Sequence, residues 1–191
     1  MNDDEPVLRT DEELAQYTVG ELRLHDAPIT LLDYDAEWPA RFSREAERIR
    51  GALGAAAISV EHVGSTSVPG LAAKPIIDIL LAVADSADEA AYAPALERAG
   101  YELRVREPDW YEHRMFVRAD PATQVHVLTA GHFEIDRMLA FRDRLRTDDD
   151  ARERYAATKR RLAARRWRHV QHYADAKTEV IEEILARPRP R

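Results

Sequence analysis

Residues 58–83 read ISVEHVGSTSVPGLAAKPIIDILLAV, two apolar runs on either side of a Gly-Ser pair and a Pro-Gly turn. Both runs have the length of a strand and are rich in Ile, Leu and Val, so the stretch predicts two strands. Asp78 stands in the middle of the second run. An ionised carboxylate within an apolar strand needs a partner cation or hydrogen-bond donors, because burying the charge alone is costly. Asp78 is therefore the first candidate functional residue.

Strand and helix patterns alternate on both sides of this stretch. Segments with the composition or alternation of strands lie at 29–32, 57–63, 75–84, 101–105, 112–118 and 124–128. Helix patterns are expected from Thr10 onward and at 35–53, 86–99, 133–146, 149–165 and 171–186. This order predicts an α/β (α+β) fold, in which a mixed sheet of about five to six strands carries helices and a C-terminal helical subdomain.

The same patterns divide the chain into four ranges. A sheet domain is expected over 10–130, and a helical subdomain packed on it over 131–187. Residues 1–9 and 188–191 lack periodicity, so we expect disordered tails there.

Composition excludes several classes of protein. The chain has 191 residues, of which 45% are hydrophobic and 33% charged, and no apolar run approaches the ~18 residues that span a bilayer. With no cysteine, the chain has no disulfide, thiolate metal site or cysteine nucleophile. The net charge of −7 argues against nonspecific binding to a nucleic-acid backbone. These features predict a cytoplasmic protein without a membrane or nucleic-acid partner.

The turn between the two central strands is a candidate anion site. Gly64 lets the backbone approach a ligand, and the hydroxyls of Ser65, Thr66 and Ser67 are hydrogen-bond donors. A tight turn whose hydroxyls cap its own backbone explains the same residues. The Gly-Ser pair alone does not decide between the two interpretations.

The spacing of this turn from Asp78 carries a family resemblance. Gly64-Ser65, twelve residues and then Asp78 in an apolar strand resemble the signature of the DNA polymerase beta-like nucleotidyltransferases. The motif HVGSTSVPGLAAKPIIDI, from His62 to Ile79, more closely resembles the hallmark of the GrpB family, and the likeness extends from about residue 30 to 186. The resemblance implies a nucleotidyltransferase-like fold, in a family that also occurs fused to dephospho-CoA kinase.

The resemblance also implies a function and a set of site residues. The expected activity is that of a transferase, which binds ATP or another nucleoside triphosphate with Mg²⁺ and passes a nucleotidyl group to a small-molecule acceptor. Asp78 would hold the metal, with Glu61 or His126 as the base. Nucleotide or phosphate contacts are expected from Gly64, Ser65, Thr66, Ser67, Lys74, Arg142, Tyr155, Lys159, Tyr173 and Lys177.

The sequence departs from the superfamily pattern at two positions. Leu80 stands where a second carboxylate is expected on the face of Asp78, and His126 is the best candidate for the third. One alternative is therefore a noncatalytic nucleotide-binding or accessory module. Another is a His-rich metal-dependent enzyme, in which Asp78, His126 and His62, with His113 nearby, bind a transition metal instead of Mg²⁺. Histidines that are hydrogen-bonded in the core, and a structural Asp78 paired with Lys74, are the remaining alternatives.

Overall fold

The computed structural model describes residues 8–187 and contains a five-stranded mixed sheet. Its strands are β1 (Ser59–Val63), β2 (Ile77–Val83), β3 (Glu102–Glu107), β4 (His113–Arg118) and β5 (Thr123–Thr129), in the order β1-β2-β5-β4-β3. β2 and β5 are parallel, and the other neighbouring pairs are antiparallel. The expected mixed sheet is confirmed, with the lower of the expected strand numbers.

Seven helices lie within the described residues, and most follow the predicted patterns. They are α1 (Asp11–Tyr17), α2 (Trp38–Leu53), α3 (Ala93–Arg98), α4 (Phe133–Thr147), α5 (Asp149–Ala163), α6 (Val170–Asp175) and α7 (Thr178–Ala186). The helix expected over 171–186 is split into α6 and α7, which leaves Lys177 at their junction. None of the helices within residues 8–187 is long and apolar enough to cross a bilayer.

The segment 29–32 is not a strand of the sheet. Leu32 forms a single antiparallel bridge with Ala73. On one side the next hydrogen-bonded pair would be Thr30 with Pro75, which has no backbone N–H to donate. On the other side it would use the N–H of Leu71, which already donates to the carbonyl of Val68, so the ladder does not continue. The helix expected over 86–99 is likewise reduced to a short turn and α3, because Ser86 hydrogen-bonds to Thr129 instead of capping a helix.

The two faces of the sheet have different covers. Side chains alternate along a strand, so Ile79 and Leu81 pack with α2 and α3 on one face, while Asp78 and Leu80 belong to the other. Leu80 is completely buried there beside Ile135 of α4. Helices α5 and α7 continue this second layer over the loop that connects β1 to β2. Asp78 therefore faces the C-terminal helices.

The N-terminal segment connects these helices to the far edge of the sheet. Arg9 forms ion pairs with Glu107 of β3 and Asp175 of α6, and Asp11 pairs with Arg168. Arg9 belongs to the range 1–9 that was expected to be a tail, and its two acidic partners fix its position instead. The rest of that expectation, together with the tail at 188–191, lies mostly outside the described residues.

Candidate functional site

The contact between Gly64 and Asp78 is the centre of the site. Pairing of β1 with β2 places Val63 opposite Asp78, so the turn that follows Val63 begins beside the carboxylate. Gly64 has φ of +66°, and a Cβ atom there would lie 2.8 Å from the Cβ of Asp78. Only glycine allows the turn to approach so closely, because any larger residue would overlap Asp78.

All three lysines of the chain converge on Asp78. The sequence has 28 lysines and arginines, of which only Lys74, Lys159 and Lys177 are lysines. They come from the loop before β2, from α5 and from the junction of α6 with α7, and each interacts electrostatically with Asp78. The four-residue spacings in the sequence indicated that Lys159 shares a helix face with Tyr155, and Lys177 with Tyr173. They did not indicate that the three lysines lie around Asp78. The scarcity of lysine in an arginine-rich chain was the signal that could have revealed it.

The lysines are buried enough to lose part of their charge. Lys159 is 2% exposed and donates to the carbonyl of Ala72 at 2.5 Å. Burial, followed by the neighbouring charge of Lys177, lowers the pKa of Lys159 to about 7. Burial also lowers the pKa of Lys74 and of Lys177. Three amines thus interact with the Asp78 carboxylate, and Asp175 is a second acid near Lys177 alone. The excess of amines favours a ligand with several negative charges.

Two tyrosine rings flank the amines. The Nζ of Lys159 lies 5.4 Å from the ring centroid of Tyr155, and that of Lys177 lies 4.6 Å from Tyr173. Burial raises the pKa of Tyr155 to about 12, although its hydrogen bond with Ser65 acts in the opposite direction. The hydroxyl of Tyr173 is buried and has no hydrogen-bond partner among residues 8–187. Tyr173 therefore offers an unused donor close to the lysines.

The three hydroxyls of the turn have different positions. Ser65 reaches Tyr155 and hence the lysine cluster. Thr66 donates to the carbonyl of Ile76 at 3.1 Å, and Ser67 donates to the carbonyl of Gly64 at 2.6 Å. The capping interpretation thus describes Thr66 and Ser67, whereas Ser65 is placed beside the site.

His62 is not brought together with Asp78 and His126. It belongs to the opposite face of the sheet, where its ring stacks on Phe42 of α2 at 4.6 Å between centroids. Burial lowers the pKa of His62 to about 4. Across residues 8–187, no group of three or more His, Cys, Asp or Glu side chains has the arrangement of a metal site. The predicted set of Asp78, His126 and His62 is therefore not assembled, because the pairing of β1 with β2 directs His62 away.

Glu61 and Arg142 form a separate pair at the β1 edge of the sheet. Arg142 Nη1 lies 3.0 Å from Glu61 Oε2 and 3.2 Å from the carbonyl oxygen of His62, to both of which it donates. Both residues line an open cavity of about 710 Å³, together with Arg146 and Tyr34. The structure thus places Arg142 in this cavity, whereas sequence reasoning grouped it with the lysines.

His126 begins a chain of contacts that crosses the sheet. Its Nε2 lies 4.0 Å from Oδ1 of Asp78, and its Nδ1 lies 3.1 Å from Nε2 of His113. On its other side, His113 Nδ1 lies 2.7 Å from Oε2 of Glu107. Sequence reasoning did not find Glu107. Its direct pairing with His113 across β3 and β4 depends on a strand register that one sequence does not reveal.

The fold and site together define a class of protein. It is an α+β protein in which a Gly-Ser turn and a strand aspartate lie beneath lysine-bearing helices. A family model described as "GrpB protein" matches residues 28–187. The chain belongs to this GrpB family.

Several relatives cover most of the chain. The UPF0157 protein BH1888 of Halalkalibacterium halodurans is 62% identical over 94% of this chain and 92% of its own. The crystal structure of the conserved protein GrpB from Enterococcus faecalis aligns with a TM-score of 0.70 and 32% identity, covering 82% of this chain and 97% of the other. A dephospho-CoA kinase of Mycolicibacterium paratuberculosis is 34% identical over 84% of this chain, which matches 46% of that protein.

Proposed function

We propose that this protein binds a nucleoside triphosphate beside Asp78 and transfers its nucleotidyl group to a hydroxyl or phosphate of a small acceptor. The observation that supports this proposal is the convergence of Lys74, Lys159 and Lys177 on Asp78, next to the Gly64-Ser65 turn. A triphosphate carries several negative charges, which offset the excess of amines over carboxylates. Polyphosphate binding also uses donors such as the hydroxyls of Ser65 and Tyr173.

The residues at the site fit one magnesium ion better than two. Asp78 is the carboxylate at the turn, and its side chain is 26% exposed, so it is open to a bound ion. Mg²⁺ commonly binds through one or two carboxylates plus substrate phosphates and keeps several waters. A two-metal site needs further oxygen ligands on the same strand face, and that position holds the buried Leu80. When bound, one Mg²⁺ would offset charge on the phosphates.

In this proposal the chain's residues bind and orient the reactants. Lys159 and Lys177 stabilise the charge of the departing pyrophosphate. The acceptor oxygen forms a bond to the α-phosphorus as the bond to pyrophosphate breaks, and the proton of the acceptor passes to a base. His126 is the candidate, since its Nε2 lies 4.0 Å from Asp78. Glu61 is paired with Arg142 and is less available.

Nucleotide binding is tested by thermal stability and by lysine modification. Because the chain has only three lysines, acetylation at each one is resolved in a single mass spectrum. We expect ATP, GTP, CTP or UTP with Mg²⁺ to raise the melting temperature and to slow acetylation of Lys74 and Lys177. Lys159→Met should lose the stabilisation, whereas Arg161→Met, at an exposed position of the same helix, should keep it. If no triphosphate changes either readout, the proposal is wrong.

One observation favours a noncatalytic nucleotide-binding module as the second candidate. Leu80 is completely buried against Ile135, so the strand of Asp78 lacks a second carboxylate. Measuring pyrophosphate release with a panel of small hydroxyl and phosphate acceptors distinguishes the transferase from the binding module. Release that disappears in Asp78→Asn supports the transferase. Stabilisation by nucleotide with no release from any acceptor supports the binding module.

A further inference from the structure

We infer that Glu107 and His113 are positioning residues that hold His126 in its Nδ1–H tautomer, so that the unprotonated Nε2 faces the site of Asp78. The inference deepens the proposed function, on which it rests for the use of that nitrogen as a base. The tautomer itself follows from the hydrogen-bond chain that runs from β3 through β4 to β5.

The chain begins at Glu107, which can only accept hydrogen bonds when ionised. Its Oε1 lies 2.8 Å from Nη1 of Arg9, and its Oε2 lies 2.7 Å from Nδ1 of His113. Burial opposes ionisation of Glu107, but the bonds from His113 and Arg9 outweigh burial and lower its pKa. Nδ1 of His113 must therefore carry a hydrogen.

The second step is the neutral state of His113. Its ring is 5% exposed and lies between the rings of Trp110 and His126, each about 5 Å away between centroids. Burial is the largest effect and lowers the pKa of His113; the hydrogen bond to Glu107 acts in the opposite direction without reversing the shift, and neighbouring His126 and Arg114 lower the pKa further. A neutral His113 with hydrogen on Nδ1 has a lone pair on Nε2, which must accept the hydrogen bond from Nδ1 of His126.

The third step is the consequence for His126. With its hydrogen on Nδ1, the neutral ring has its lone pair on Nε2. Asp78 Oδ1 lies 4.0 Å from Nε2, beyond hydrogen-bond distance, so it does not compete with His113 for the hydrogen. In the proposed reaction, Nε2 would take the proton of the acceptor hydroxyl. The chain thus orients the nitrogen that would act as the base.

The tautomer can be measured without nucleotide or turnover. In ¹⁵N-histidine-labelled protein at pH 8, long-range ¹H–¹⁵N spectra distinguish a protonated ring nitrogen from an unprotonated one. For His126 we expect a protonated Nδ1 and an unprotonated Nε2. His113→Phe keeps a ring against His126 but removes the acceptor, so the hydrogen should shift to Nε2, which the Asp78 carboxylate favours. A wild-type His126 with its hydrogen on Nε2 overturns the inference.

Matched variants distinguish an effect on the tautomer of His126 from a general loss of stability. Asp175→Asn removes the other ion-pair partner of Arg9 and leaves both bonds of Glu107, so the His126 tautomer should not change. Glu107→Leu removes the acceptor at the start of the chain, so His126 should become a mixture of tautomers even where His113→Phe fails to fold. A mixture in Asp175→Asn and a fixed tautomer in Glu107→Leu would refute the assignment.

Assays of nucleotidyl transfer then distinguish a failure of the positioning role from a failure of the proposed transferase function. Where nucleotidyl transfer is detected, His113→Phe should lower kcat by about 10²-fold or more with little change in KM for the triphosphate. Transfer by a wild-type protein whose His126 carries hydrogen on Nε2 would refute the positioning role alone. The expected tautomer without any transfer would refute the transferase alone.

Discussion

At the scale of single residues, Gly64 allows the turn after β1 to lie in close contact with the carboxylate of Asp78. The conformation of Gly64, with φ +66° and ψ −172°, belongs to a region that is essentially restricted to glycine. Its missing side chain leaves room for the Cβ and carboxylate of Asp78. The backbone conformation and the neighbouring Asp78 side chain thus each require glycine at position 64.

Gly64→Ala should therefore destabilise the protein strongly. The new Cβ adds an unfavourable backbone conformation to an overlap with Asp78, for a loss of about 2–4 kcal/mol in the free energy of unfolding. Urea denaturation measures this loss. Gly51→Ala is the matched control, because a Cβ there meets nothing within 4 Å and lies inside α2. The control should gain up to about 1 kcal/mol, and equal losses in both variants would contradict the account.

Lys159 predicts how stability changes with pH. Its pKa is lowered to about 7 in the folded state from 10.5, so between these values the unfolded chain binds more protons than the folded one. Stability contributed through this group therefore rises with pH from about 7 to 10.5, by at most about 1.4 kcal/mol per pH unit. We expect Lys159→Met to reduce this slope in denaturation at pH 7.5–9.5. An unchanged slope would mean that Lys159 keeps its charge in the fold.

At the scale of elements, β1 is an edge strand whose outward carbonyls are occupied by arginines. Arg50 of α2 donates to the carbonyl of Val60 at 3.1 Å, and Arg142 of α4 donates to that of His62 at 3.2 Å. An open edge is a site for pairing with another chain, and such donors compete with that pairing. The two helix layers thus protect the same strand from both sides.

Arg142→Met should weaken the fold and expose this edge. Its side chain is largely buried and donates to both Glu61 and His62, so we expect a loss of about 1–3 kcal/mol. Chemical denaturation and light scattering measure the loss and any association. Arg44→Met, at an exposed position of α2, should stay within about 0.5 kcal/mol. Equal stability of the two variants would show that the edge contacts contribute little.

Elements with a strong local pattern could be predicted from the sequence, and elements that depend on a partner could not. β2 follows from its apolar run and β5 from its alternation of polar with apolar residues, and α4 and α5 lie where helices were expected. The segment 29–32 has strand composition, but its only bridge within residues 8–187 is to Ala73, and Pro75 cannot donate in the next hydrogen-bonded pair on that side. Composition reports the preference of a segment, whereas a strand also requires a neighbour with free donors.

At the scale of the whole molecule, the site combines parts that are distant in the sequence. The motif around Asp78 indicated a turn and an acid, and helix spacing indicated the pairs of Lys159 with Tyr155 and of Lys177 with Tyr173. Their convergence depends on how α5, α6 and α7 pack over the loop before β2. The face of His62 depends on the register of β1 with β2. Both are long-range properties, which no local pattern contains.

The same convergence predicts that nucleotide binding is linked to proton uptake. The pKa of Lys159 is about 7, so at pH 8 most free molecules hold it as a neutral amine. A bound polyphosphate favours the ammonium form and raises that pKa, so the complex holds more protons than the free protein. Affinity should consequently fall as pH rises from 7 to 9, by at most about tenfold per unit for each proton taken up.

Calorimetry in two buffers with different ionisation enthalpies, such as HEPES and Tris at pH 8, measures this uptake directly. For the wild type, the observed binding enthalpy should differ between the buffers in proportion to the protons taken up. Lys159→Met should lose a large part of that difference, and Arg161→Met, at an exposed position of the same helix, should retain it. Equal enthalpies in both buffers for the wild type would mean that the amines are already charged before the ligand arrives. The lysines would then act as a fixed positive surface instead of a group that is charged by its ligand.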